Sequence, residues 1–90
     1  MTRWARRTDT THAEVASAFA KAGWSVLQTF RIGQDAPDLI VAKAGRTVAV
    51  EVKGPKGKLQ PGQVSWLSAW QGESAVVRST ADVIALSSAT

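Results

Sequence analysis

Residues 37–53 read PDLIVAKAGRTVAVEVK, and the fold follows from them. Pro37 cannot sit inside a helix. Asp38–Ala42 then reads as a strand of branched apolar residues. Ala44, Gly45 and Arg46 form a turn, and Thr47–Lys53 is a further strand, dense in valine. Two strands joined this briefly pair as a hairpin. Side chains in a strand alternate faces, so Val48, Val50 and Val52 point to the core while Glu51 and Lys53 point the other way. Asp38 and Glu51 are equally far from the turn between Ala44 and Gly45. They are therefore expected to lie opposite each other, with Lys53 alongside.

Upstream, Thr11–Ala22 is rich in alanine and carries Val15, Ala18, Phe19 and Ala22 at three- and four-residue spacing. This predicts an amphipathic helix, stopped by Gly23. Trp24–Phe30 reads as a strand that runs into a loop at Arg31–Asp35. Downstream, Gly54–Lys58 reads as a mobile loop, and Pro61 suits the first turn of a helix running to about Gln71, before Gly72. Val76–Arg78 is a fourth strand. Asp82–Leu86 is a short apolar element, expected as a helix or turn at the sheet edge. The order α-β-β-β-α-β predicts a single α/β domain, a mixed sheet flanked by helices.

The 90 residues suffice for one domain with a thin stability margin, which a dimer partner or a bound metal would widen. The chain has no cysteine, which excludes disulfides and thiolate metal sites and is compatible with a cytoplasmic protein. No apolar run approaches the ~20 residues of a membrane helix, and the basic start lacks the apolar core of a signal peptide. The net charge is +4, and it is clustered: Arg3, Arg6 and Arg7 near the start, Lys53, Lys56 and Lys58 in one short stretch. Such clusters suit a polyanion, since phosphate contacts supply most non-specific affinity for nucleic acid. Residues 1–9 read as a basic arm, either a loose start or a wrap for a phosphate backbone.

Two carboxylates and an ammonium at one strand end make a chemically sensible trio. Hard oxygen ligands suit Mg²⁺ or Mn²⁺, and Mg²⁺ binds through one or two carboxylates plus water and substrate phosphate. Lys53 is placed to orient an attacking water or to stabilise charge on a phosphate in the transition state. The plainer reading is a surface Glu/Lys pair and an Asp at a turn.

The combination is more specific than its parts. Pro37-Asp38-Leu39-Ile40-Val41, then Val50-Glu51-Val52-Lys53-Gly54, then Gly57-Lys58-Leu59 with Gln63 and Trp66, resembles the virus-type replication-repair nuclease (VRR-NUC) domain of the PD-(D/E)xK superfamily. The resemblance covers nearly the whole chain and implies a restriction-endonuclease-like core. It further implies a Mg²⁺- or Mn²⁺-dependent DNA endonuclease that is selective for branched, flap or junction DNA and acts in repair, commonly as a homodimer. It implies that Asp38 and Glu51 are metal ligands, with the Val52 carbonyl and the helix-borne Glu14 as further ligands. Lys53 then corresponds to the catalytic lysine and Gln63 to a helical glutamine beside the site. The lead-in Gly33-Gln34-Asp35-Ala36 departs from the family's commoner pattern, with Asp35-Ala36 where glycine is usual.

Several of these residues have rival roles. Thr11-His12-Ala13-Glu14 is a capping box, which would occupy the Glu14 carboxylate. His12 reads as a surface residue. Gln63 is either an ordinary first-turn residue or part of the site. Trp66 and Trp70, one turn apart, read as core or subunit interface. Lys56 and Lys58 read as DNA contacts. Two other functions compete with the nuclease: an inactive nucleic-acid-binding module on the same fold, and a small interaction protein whose acidic pair is only a surface feature.

Overall fold

The computed structural model describes the backbone of residues 3–88 and the side chains of residues 11–88. The elements are α1 (Arg3–Lys21), β1 (Ser25–Gln28), a short 3-10 turn at Phe30–Ile32, β2 (Leu39–Lys43), β3 (Arg46–Val52), α2 (Pro61–Ala69), β4 (Glu73–Val77) and α3 (Thr80–Ser88). The expected order is present, and the ambiguous last element is a helix. Several boundaries differ: β1 ends at Gln28 and not Phe30, β4 begins at Glu73 and not Val76, and the largest difference is in α1. The first helix begins at Arg3, so Thr11 lies inside it and does not cap it. The reason is local: residues 3–21 contain neither glycine nor proline, so nothing interrupts the helix before Gly23. The side chains of Arg3, Arg6 and Arg7, expected to contact DNA, lie outside the described residues.

Gly23 ends α1 in the left-handed region at φ +93°. The Trp24 N–H then reaches back to the Phe19 carbonyl and the Gly23 N–H to that of Ala20, at 3.0 and 3.1 Å, a Schellman closure. The Lys43 ammonium donates to the Ala22 carbonyl at 2.6 Å, placing positive charge at the negative end of the helix.

The four strands stand in the order β1-β2-β3-β4. β1 and β3 are antiparallel to β2, and β4 is parallel to β3. A parallel return needs a crossover, which the segment containing α2 supplies. Leu39 pairs with Val50 and Lys43 with Arg46, so the hairpin register is the one read from the sequence. The core gathers Val15 and Phe19 of α1, Val83 of α3, Trp24, and Leu39, Val41, Val48, Val50 and Val77 from the sheet. The valines face inward as expected. In addition, Ala49 and Glu51 are buried, so β3 is covered on both faces. Arg46 binds both carboxylate oxygens of Glu73, at 2.8 and 2.5 Å, and donates to the Leu86 carbonyl at 2.9 Å. This ties the hairpin turn to β4 and α3.

The two-residue turn puts both Ala44 (φ +53°) and Gly45 (φ +81°) in the left-handed region. A turn of this kind favours Asn-Gly, and a left-handed alanine costs about 1–2 kcal/mol. Ala44→Asn is therefore expected to raise stability by about 0.5–1 kcal/mol in urea denaturation, with activity unchanged.

Candidate active site

All four strands deliver the ends nearest the site to one side of the sheet. Thr29, just past β1, donates from its hydroxyl to the Pro37 carbonyl at 2.6 Å and from its backbone to the Asp38 carbonyl at 2.8 Å. This fixes the approach to β2 and so the position of Asp38. The Val52 N–H donates to Asp38 Oδ2 at 2.8 Å, which locks the carboxylate onto β3. One residue earlier on that strand stands Glu51, only 4% exposed. Lys53 Nζ is 3.7 Å from Glu51 Oε2. These residues line one cavity of about 560 Å³ with Thr11, His12, Val52, Gly54, Pro55, Gly57 and Gln63.

Gln63 holds two roles through the two ends of one amide. Its Oε1 accepts from the Gln60 N–H at 2.8 Å, completing the capping box of α2. Its Nε2 donates to Glu51 Oε2 at 2.9 Å. The helix cap therefore orients the amide that holds Glu51. Gly62 lies beside it, close against the exposed Asp35 carboxylate, which would have to turn aside for a larger residue there. Asp35 belongs to a run of three left-handed residues, Gly33, Gln34 and Asp35, in the lead-in loop.

The Glu51 carboxyl is pushed up to about 7, first by burial and then by the nearby Asp38 charge, with Lys53 opposing the rise. Two carboxyl groups are thus crowded in a partly dry place with one ammonium. That is an expensive arrangement unless a cation completes it. Among the described residues, no third His, Cys, Asp or Glu joins them.

One of the expected metal ligands falls elsewhere. Glu14 is exposed and lines a separate cavity with Lys21 and Arg78. With Val15 and Phe19 turned into the core, the helix phase carries Glu14 away from Asp38 and Glu51. Trp66 and Trp70 stack with centroids 5.1 Å apart, yet α2 buries no residue, so they are not core in the monomer. Lys56 and Lys58 are exposed on the loop beyond β3. That loop is less free than its composition suggests, since the Gly57 N–H closes a turn on the Gly54 carbonyl at 3.1 Å.

His12, read from sequence as a surface residue, is half-buried. It faces the cavity, meets Phe30 edge-on with centroids 5.0 Å apart, and hydrogen-bonds Gln28 at 2.5 Å. The available signal was the helix phase: His12, Val15 and Phe19 follow one stripe, which runs past the core into the cavity.

The pKa of Glu51 predicts a pH dependence. Between about 4.5 and 7 the folded protein keeps a proton that the unfolded chain has released. Without divalent cations, stability contributed at Glu51 is therefore lost as pH rises through this window. Glu51→Gln is expected to exceed wild type by about 1–3 kcal/mol at pH 8 and to match it near pH 4.5, in metal-free denaturant titrations.

The family model for the VRR-NUC domain matches residues 2–81. A solved structure titled "VRR_NUC domain" superposes with a TM-score of 0.74 at 24% identity, covering 89% of this chain and 92% of that one. At that identity the likeness shows the fold. A comparison with curated proteins finds no match.

Proposed function

The chain belongs to the VRR-NUC family, a nuclease-type domain, and from that premise we propose that it is a Mg²⁺- or Mn²⁺-dependent endonuclease hydrolysing DNA phosphodiesters. The observation that carries this reading is the convergence of Asp38, Glu51 and Lys53 on the wall of one open cavity. The donor set fits a hard divalent cation: two carboxylates in contact, one buried and short of compensating charge. Mg²⁺ asks for one or two carboxylates and keeps several waters, whereas a closed zinc site needs four protein ligands.

Asp38 and Glu51 would hold the ion, with the Val52 carbonyl as a further ligand by family resemblance. The ion, when bound, neutralises charge on a phosphate and acidifies a water. The remaining roles belong to the chain. The Val52 N–H holds one oxygen of Asp38 and leaves the other for the cavity. Gln63 orients Glu51 from α2. Lys53, beside Glu51, presents an ammonium to the non-bridging oxygens of the phosphate, where charge builds in the transition state. Exposed Lys56 and Lys58 add phosphate contacts at the cavity mouth.

Selectivity for branched, flap or junction DNA, with a role in replication, repair or recombination, rests on the family resemblance. A homodimer is supported by α2, which buries nothing while carrying the stacked Trp66 and Trp70, and by Leu27 and Ile32, 61% and 66% exposed. No described helix is long and apolar enough to cross a membrane.

Incubation with flap, junction and linear duplex DNA in Mg²⁺ or Mn²⁺ is expected to give cleavage that chelation abolishes. Lys53→Ala and Glu51→Ala should each lower the rate at least about 100-fold. Wild type that binds DNA but cuts none of these substrates would point to an inactive binding module instead. Sedimentation at micromolar concentration is expected to give twice the chain mass of 9.6 kDa, and a monomeric mass would refute the dimer.

A further inference from the structure

Beyond β3 the chain must leave the sheet through Gly54-Pro55-Lys56-Gly57-Lys58, a segment with two glycines and little intrinsic preference for one shape. Its shape is nevertheless set from another element. Arg78 Nη1 donates to the Gly54 carbonyl at 2.8 Å and to the Gly57 carbonyl at 2.6 Å. One guanidinium nitrogen thus bridges both ends of the turn that the Gly57 N–H closes onto Gly54. Arg78 is itself held in place. Its backbone N–H donates to Asp82 Oδ2 at 2.8 Å, in the first turn of α3. It directly follows Val77, whose carbonyl accepts the Lys53 N–H at 3.1 Å. The parallel pairing of Val52 with Val77 makes the two strands end side by side, which brings Arg78 within reach of the loop.

The guanidinium spends its donors on neutral carbonyls. Among the described residues it enters no ion pair. Pro55 and Gly57 line the cavity with Asp38 and Glu51, while Lys56 and Lys58, their neighbours in the chain, are exposed.

We propose that Arg78 is a positioning residue: it sets the 54–57 turn so that Lys56 and Lys58 are presented together to the phosphates flanking the cleavage site. This rests on the nuclease reading, because it takes DNA as the ligand of the loop. Arg78 acts through the lysines and not as a phosphate contact of its own.

A double-mutant cycle on the full chain tests it. DNA affinity is measured by anisotropy on a labelled junction oligonucleotide in a chelator, so that no turnover occurs. Wild type, Arg78→Met, Lys56→Ala/Lys58→Ala and the triple variant are compared. Removing both lysines from wild type is expected to weaken binding at least about 10-fold, whereas removing them from the Arg78→Met background should cost under about 3-fold. A triple variant whose loss equals the product of the separate losses would overturn the proposal, since additivity means that Arg78 contacts DNA itself or acts on the fold alone. A second readout needs no DNA: the Gly57 amide should exchange its hydrogen at least about 10-fold faster in Arg78→Met, and unchanged protection also overturns the proposal. If Arg78→Met does not fold, Arg78→Lys replaces it, keeping the charge but losing the planar fork, with the same non-additivity and faster exchange expected. Wild type that binds no DNA at low salt defeats the nuclease reading and this inference with it. Wild type that binds, with an additive cycle, defeats the inference alone.

Discussion

The hydrogen bond from the Val52 N–H to Asp38 Oδ2 joins the sheet to the site, and the arrangement of both depends on it. The register that pairs Leu39 with Val50 brings residue 38 level with residue 51. Beyond Leu39 the ladder stops, and the Asp38 side chain takes the N–H at the end of β3 as its partner. A slip of one residue in this register would turn every valine of β3 outward and carry Glu51 into the core. The hydrophobic core thereby determines where the carboxylates stand. Thr29 reinforces this from the other side, holding Pro37 and Asp38 against β1.

Glu51 shows what this arrangement costs. A carboxylate placed on the covered central strand of a small domain is disfavoured in its charged form, and Asp38 beside it deepens the penalty. Lys53 and Gln63 offset only part of it. A surface Glu-x-Lys pair would carry no such burden, and it would also have little hold on a divalent ion. Under the proposed metal-dependent reading, the burial that weakens the metal-free protein is what a bound cation would offset.

The elements around the site are held by polar contacts more than by packing. Helix α2 buries none of its residues, and its place is marked by the Gln63–Glu51 hydrogen bond and by Asp35 against Gly62. The 54–57 turn is held by Arg78 from the end of β4. Both devices sit on the lining of the cavity, through Gln63 and Glu51 in one case and Gly54 and Gly57 in the other. The rigid core and the polar attachments are thus divided between the sheet, which places the carboxylates, and the connections, which place the groups around them.

Much of this was legible in the chain itself. Alternation along Thr47–Lys53, the proline before Asp38 and the brief turn at Ala44-Gly45 specify the hairpin, its register and the Asp38/Glu51/Lys53 trio, because each is a local consequence of backbone geometry. The family pattern in these same residues agrees with the fold. What lay beyond the sequence is of three kinds. The start of α1 at Arg3 was hidden because Thr11 and Glu14 mimic a capping box, a signal that matters only where a helix ends. The facing of α1, which sends His12 to the cavity and Glu14 away from it, was decided by how Val15 and Phe19 pack on the sheet. The burial of Glu51 and the reach of Arg78 to the loop depend on residues distant in sequence meeting at the ends of β3 and β4. Local periodicity can place a side chain on a face; only the packed sheet decides what covers that face.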